Sequence, residues 1–230
     1  MRLLLLILWS LCWLGQARAA DVAALPDMGV RLQACSACHG KEGRATPNGF
    51  FPRIAGKPAG YLLHQLQNFR DGRRNNGAMA YLVEQMPDDY LREIAAYYSA
   101  LDLPYPAAPA PQAAPEVLAR GAALARDGDV ARKIPACVAC HGQRMTGTLP
   151  AVPGLLGLPR SYLVSQIGAW QAGSRAAHAP DCMADIAKRL TAADVAAVSA
   201  WLAAQPLPAD AHPAAELAAP VPLECGSMKP

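Results

Sequence analysis

Three shortages shape this 230-residue sequence. The first is an excess of either charge: 21 Lys and Arg stand against 18 Asp and Glu, a formal net charge of +3. Setting aside Arg2 and Arg18, which lie in a leader expected to be removed, leaves 19 against 18. Near-neutrality gives no footing for nucleic acid or an anionic membrane as partner. The second is aromatic residues, at 6%, so a small unit built from this chain alone would have a thin core. The third is period-two alternation, which no strand-length run shows; the periodicities present are helical, and the expected class is all-α.

Long apolar runs are confined to the start. Arg2 is followed by an almost continuously apolar stretch, Leu3 to Leu14, and then by the small-x-small site Ala17-Arg18-Ala19. This pattern predicts a secretion leader over residues 1–19, cleaved after Ala19. A retained N-terminal anchor is the alternative, although the run is short for a membrane span. Cys12 sits in that run as a hydrophobe. No later segment is long and apolar enough to cross a bilayer, so no transmembrane segment is expected in the mature chain.

What the sequence does have is cysteine in a fixed pattern. Cys35-Ser36-Ala37-Cys38-His39 and Cys137-Val138-Ala139-Cys140-His141 are two copies of C-x-x-C-H, each followed by Gly. The spacing suits covalent attachment of c-type haem. On a helix the Cys pair falls at i and i+3 and the His at i+4, on one face of about one turn. Two thiols can bond the two vinyl groups while the imidazole reaches the iron. Two copies predict two haem c groups. The leader fits, because this attachment is made outside the cytoplasm, and periplasmic location is expected.

The residues after each copy also repeat. Pro52, Gly56, Tyr61-Leu62, Gln65, Phe69, Gly72 and Arg74 match Pro153, Gly157, Tyr162-Leu163, Gln166, Trp170, Gly173 and Arg175 at a single offset of 101 residues. Helices are predicted over 27–34 and 115–126, 61–70 and 162–170, and 87–101 and 191–205, the last opening on Thr191 and Asp194 as a near capping box. The organisation is therefore a leader (1–19), a first unit (20–102), a Pro/Ala-rich linker (103–115), a second unit (116–205) and a Pro-rich tail (206–230). Haem would complete each thin core, so the apo units should be weakly stable.

His39 and His141 are the expected axial ligands on one side of each iron. The other ring nitrogen needs an acceptor. Pro52 and Pro153, 13 and 12 residues on, have a carbonyl but no N–H and are candidates for it, unless they only shape the loop. Methionine is the usual opposite ligand for electron transfer. Met86 aligns with Leu190, which cannot ligate. Met145 lies too close to His141, and Met28 and Met228 have no counterparts. Met79 and Met183 correspond, with three residues inserted, and are the candidate sixth ligands; core filling is the competing role. Cys182 and Cys225 are left over. A disulfide is their simplest fate in an oxidising compartment, with a free thiol or a Cys182 thiolate on iron as alternatives. His64, His178 and His212 have no matched partners and read as structural or solvated. Arg73, Arg74 and Arg175 are either propionate partners or solvated loop charges.

With these residues in place the chain resembles the cytochrome c4 family. The resemblance rests on C-S-A-C-H-G with P-R-I-A-G-K-P-A-G-Y-L and Met79, and on C-V-A-C-H-G with P-G-L-L-G-L-P-R-S-Y-L and Met183, and it covers nearly the whole mature chain. It implies two tandem class I cytochrome c domains, each with one haem and His/Met ligation. It also implies a periplasmic carrier that serves terminal oxidases, or an electron-accepting subunit of a dehydrogenase. The Asp181-Cys182-Met183 stretch and the tail with Cys225 depart from the family and put the partner in question. The expected function is thus electron transfer without catalysis. The alternative is a dihaem oxidoreductase of peroxidase or thiosulfate dehydrogenase type, with an unusually ligated iron. A zinc site drawn from both C-x-x-C-H motifs, or a thiol redox centre, would leave the repeated Pro, Tyr and Met pattern without purpose.

Overall fold

The computed structural model describes residues 27–228; the expected leader lies outside the described residues. In the first unit α1 (Met28–Arg31) starts at Asp27, whose carboxylate accepts from the Gly29 N–H. A break at Leu32 separates it from α2 (Gln33–His39). The helix expected over 27–34 is therefore two pieces, and the second carries the first pentapeptide. α3 (Ala59–Arg70), α4 (Gly77–Val83) and α5 (Asp88–Ser99) follow. Leu32, Leu62, Phe69, Leu91, Ile94 and Tyr98 are buried together among these helices.

Residues 103–114 contain no helix or strand. The second unit opens with α6 (Pro115–Arg126), where Pro115 occupies a first-turn position that needs no N–H partner. α7 (Val138–His141) is one short turn holding the second pentapeptide's histidine. A two-residue antiparallel pair comes next, β1 (Gly147–Thr148) with β2 (Val152–Pro153), in register Gly147 to Pro153. It is too short to show as alternation. α8 (Arg160–Gln171), α9 (Cys182–Arg189) and α10 (Ala192–Ala204) complete the unit. Thr191 caps α10 in a full capping box with Asp194.

The second core gathers Ala125, Leu156, Leu163, Val198, Trp201 and Leu202. Its tightest crossing is α6 on α10. A Cβ at Gly121 would stand 2.2 Å from the Ala197 carbonyl oxygen and 2.7 Å from the Trp201 Cβ, so only glycine lets the two backbones meet.

The two units pack against each other through their equivalent parts. Arg74 and Arg175 form an isolated antiparallel β-bridge. The Asn75 N–H donates to the Ser174 carbonyl (2.8 Å), and the Ala176 N–H to the Arg73 carbonyl (2.6 Å). The Lys57 ammonium reaches the Gly154 carbonyl at 3.3 Å. Arg53 holds the linker: it donates to the carbonyls of Leu103 and Pro104 and lies 3.8 Å from the Tyr105 ring centre. The tail bridges Ala214 to Thr148 and ends in a 3₁₀ turn, Gly226–Met228.

Candidate functional site

Each pentapeptide ends its helix on the histidine because the following glycine leaves helical geometry. Gly40 and Gly142 have φ of 75° and 82°, a region that glycine enters without strain. A Cβ on Gly40 would stand 2.4 Å from the Ala45 carbonyl oxygen. The chain turns sharply away at that point, and the histidine stays at the helix end.

Both histidines are 8% exposed. His39 Nδ1 lies 2.9 Å from the Pro52 carbonyl oxygen, and His141 Nδ1 lies 2.7 Å from that of Pro153. A carbonyl can only accept, so Nδ1 carries the proton in both rings and Nε2 keeps its lone pair. Burial is the larger influence on both rings and pushes their pKa down; the proline carbonyls oppose it. The result is a neutral imidazole with Nε2 free to bind a metal. In the second unit the β1–β2 pair fixes Pro153 itself.

The candidate sixth ligands sit alike. Met79 is the third residue of α4, and the Asn76 side chain caps that helix by accepting from the Met79 N–H at 3.0 Å. Met183 is the second residue of α9, capped by Asp181 through the Ala184 N–H. Neither helix is expected from the sequence; Asn and Asp are residue types that favour N-caps, and at positions 76 and 181 they are the signal that could have found them. Met86 also borders the cavity, with Leu190 at the matching place. Met145 is buried in the second core and does not border it.

These groups converge. One cavity of about 530 Å³ runs through both units, lined by Cys35, Cys38, His39, Pro52 and Met79 from the first and by Cys137, Cys140, His141, Pro153 and Met183 from the second. Its other walls are largely apolar: Leu62, Phe69, Val83, Ile94, Leu163, Ile167 and Leu202 among them. The four pentapeptide cysteines are not in disulfides, and burial pushes the Cys137 thiol up to about 11. The Trp170 Nε1 is buried in this lining without an acceptor. Apolar walls, paired thiols and a free imidazole nitrogen fit a haem c in each unit, and the second adds the orphaned Trp170 donor. Among the described residues no group of three or more His, Cys, Asp or Glu is arranged to hold a metal ion, so the zinc alternative has no ligand cluster.

Cys182 and Cys225 are bonded to each other, which joins the tail to the residue beside Met183. Leu223, Ser227 and Met228 of the tail border the cavity. His64 is not on the surface. It is 4% exposed and packs against His178 of the other unit at 4.8 Å between ring centres, because α3 turns this face toward the seam. His212 is exposed and bonds Asp210. Arg175 is 6% exposed rather than solvated, and Arg74 is half-buried.

No protein-family model matches the chain. It is 40% identical over 200 residues to a "Thiosulfate dehydrogenase electron acceptor" of Thiomonas intermedia, covering 87% of this chain and 88% of that protein. It is 33% identical over 204 residues to cytochrome c4 of Pseudomonas aeruginosa, covering 87% of this chain and 97% of the relative. Among solved structures, a thiosulfate dehydrogenase from Marichromatium purpuratum superposes with a TM-score of 0.67 at 36% identity. That match takes in 75% of this chain but only 36% of the longer one.

Proposed function

The chain belongs to the cytochrome c4 family, and from that premise we propose that it is a periplasmic carrier receiving single electrons from a thiosulfate-oxidising dehydrogenase. Tandem cytochrome c domains with two covalently bound haem c groups are the family's architecture, and dihaem electron transfer is its activity. The observation that carries the finer reading is the partner named for the 40%-identical relative. The partial match to a longer dehydrogenase chain supports it.

When bound, haem iron supplies a one-electron couple. In the proposed site Cys35 with Cys38, and Cys137 with Cys140, would fasten the group by two bonds each. His39 and His141 present Nε2, held in that tautomer by the Pro52 and Pro153 carbonyls. Met79 and Met183, which border the same cavity, would supply thioether ligands to the iron and would favour its reduced state. The apolar walls would keep water from the group, and a histidine with a methionine on each iron would leave no position for a substrate. Among the described residues the one carboxylate lining the cavity is Asp181, which accepts from the N–H groups of Ala177 and Ala184.

The test is stopped-flow mixing of the oxidised holoprotein with thiosulfate, with and without a thiosulfate dehydrogenase. Rapid reduction of both haems is expected only when the dehydrogenase is present. Turnover of thiosulfate by this protein alone would overturn the carrier reading in favour of an enzyme.

A further inference from the structure

We propose that Arg74 and Arg175 form one cationic bridge shared by the two domains, pairing with haem carboxylates from both sides, so that each arginine tunes both irons. This rests on the dihaem reading above. Arg74 donates through Nη1 to Gln65 Oε1 of its own domain (2.9 Å), and through Nη2 to the Tyr162 hydroxyl (3.1 Å) and Gln166 Oε1 of the other. Arg175 returns the pattern, with Nη1 on Gln166 Oε1 (2.8 Å) and Nη2 on Gln65 Oε1 (3.1 Å). Tyr61 and Tyr162 are its other polar neighbours. Each glutamine thus accepts from an arginine of both domains, across the backbone bridge that joins residues 74 and 175.

All these partners are neutral. Among the described residues no carboxylate lies within ion-pair distance of either guanidinium. Two like charges share a largely buried seam, an arrangement that is costly without an anion. Burial first, and Arg74 second, push the Arg175 pKa down to about 10. Both arginines border the shared cavity, where among the described residues the one lining carboxylate is Asp181, already engaged by the N–H groups of Ala177 and Ala184. Each haem brings two carboxylates to that cavity.

A second observation points to the same ligand chemistry. Arg175 stacks 3.7 Å from the Trp170 ring centre, and Arg74 lies 4.5 Å from that of Phe69. The Trp170 Nε1 is a buried donor with no acceptor, whereas Phe69 at the matching place has no N–H. The carboxylate beside Arg175 therefore gains a hydrogen bond that its counterpart lacks. A cation close to an iron disfavours the ferric state and raises its potential. Loss of either shared arginine should lower both potentials. Loss of the Trp170 N–H should lower one.

Spectroelectrochemical titration of the holoprotein tests this, with haem content and the Met-to-ferric-iron absorption band recorded for every variant. Arg74→Gln and Arg175→Gln should each move both redox waves down. Arg175→Lys, which keeps the charge, should leave both near wild type. Trp170→Phe should move a single wave. The proposal is overturned if an arginine-to-glutamine variant that retains both haems and the Met band moves one wave or none. It is equally overturned if Arg175→Lys falls as far as Arg175→Gln. A wild type lacking two haems would instead sink the dihaem reading on which it rests.

Discussion

At the scale of single residues, the site depends on what each side chain is prevented from doing. His39 and His141 cannot take a proton readily because they are buried, and cannot change tautomer because a proline carbonyl faces Nδ1. Met79 and Met183 are held at the start of capped helices, so replacing either would remove the proposed ligand without removing the element that carries it. Met79→Ala and Met183→Ala should each lower the potential of one haem and abolish its Met-to-iron band, leaving the other haem unchanged. A redox titration checks this, and an unchanged titration would reject the ligand. Asp194 makes a separate case. Burial would raise its pKa, but Arg132, the Thr191 N–H and hydroxyl, and Arg120 together hold it well below the usual carboxylate range. Its side chain is 5% exposed, and its oxygens lie 2.6 Å from Arg132 and 2.9 Å from Arg120. A depressed carboxylate stabilises the fold above its unfolded pKa of about 3.9, and that contribution fades as pH falls below it. Asp194→Asn should cost about 3 kcal/mol near pH 6, and the gap to wild type should shrink toward pH 3 in urea unfolding curves.

At the scale of elements, α6 and α10 stand closest, and Gly121 sets their distance. Gly121→Ala should destabilise the second domain by about 1–3 kcal/mol through overpacking, visible as a lower Tm with unchanged haem content. The paired helices also show what a sequence can reveal. α3 and α8 were legible because Leu62, Leu66 and Phe69, and their counterparts, recur at helical spacing over 12 residues. α4 and α9 were not, since 7 and 8 residues give too little periodicity to read. Only the cap-forming residue types at positions 76 and 181 could have marked them. The break at Leu32 and the two-residue strands are equally local and left no pattern. The Arg74–Gln166 and Arg175–Gln65 contacts join residues about 100 positions apart. The common offset placed both arginines at equivalent points but gave no hint that those points meet.

At the scale of the whole molecule, two domains share one cavity, one seam and a tail. The Cys182–Cys225 bond closes a loop with a sequence separation of 43, which by loop-closure entropy contributes about 4 kcal/mol. The double variant Cys182→Ser/Cys225→Ser should lower the thermal stability of the second domain and speed hydrogen exchange in residues 206–228. The seam joins the two units through equivalent residues, as the proposed two-iron carrier would require. Coulometric titration of the holoprotein with the optical spectrum followed throughout, repeated in the presence of cyanide, tests that claim most directly. The account predicts two electrons taken up per chain, both irons low-spin with a methionine ligand, and no cyanide complex at either oxidised iron. A single electron per chain, or one iron that is high-spin and binds cyanide promptly, would contradict it.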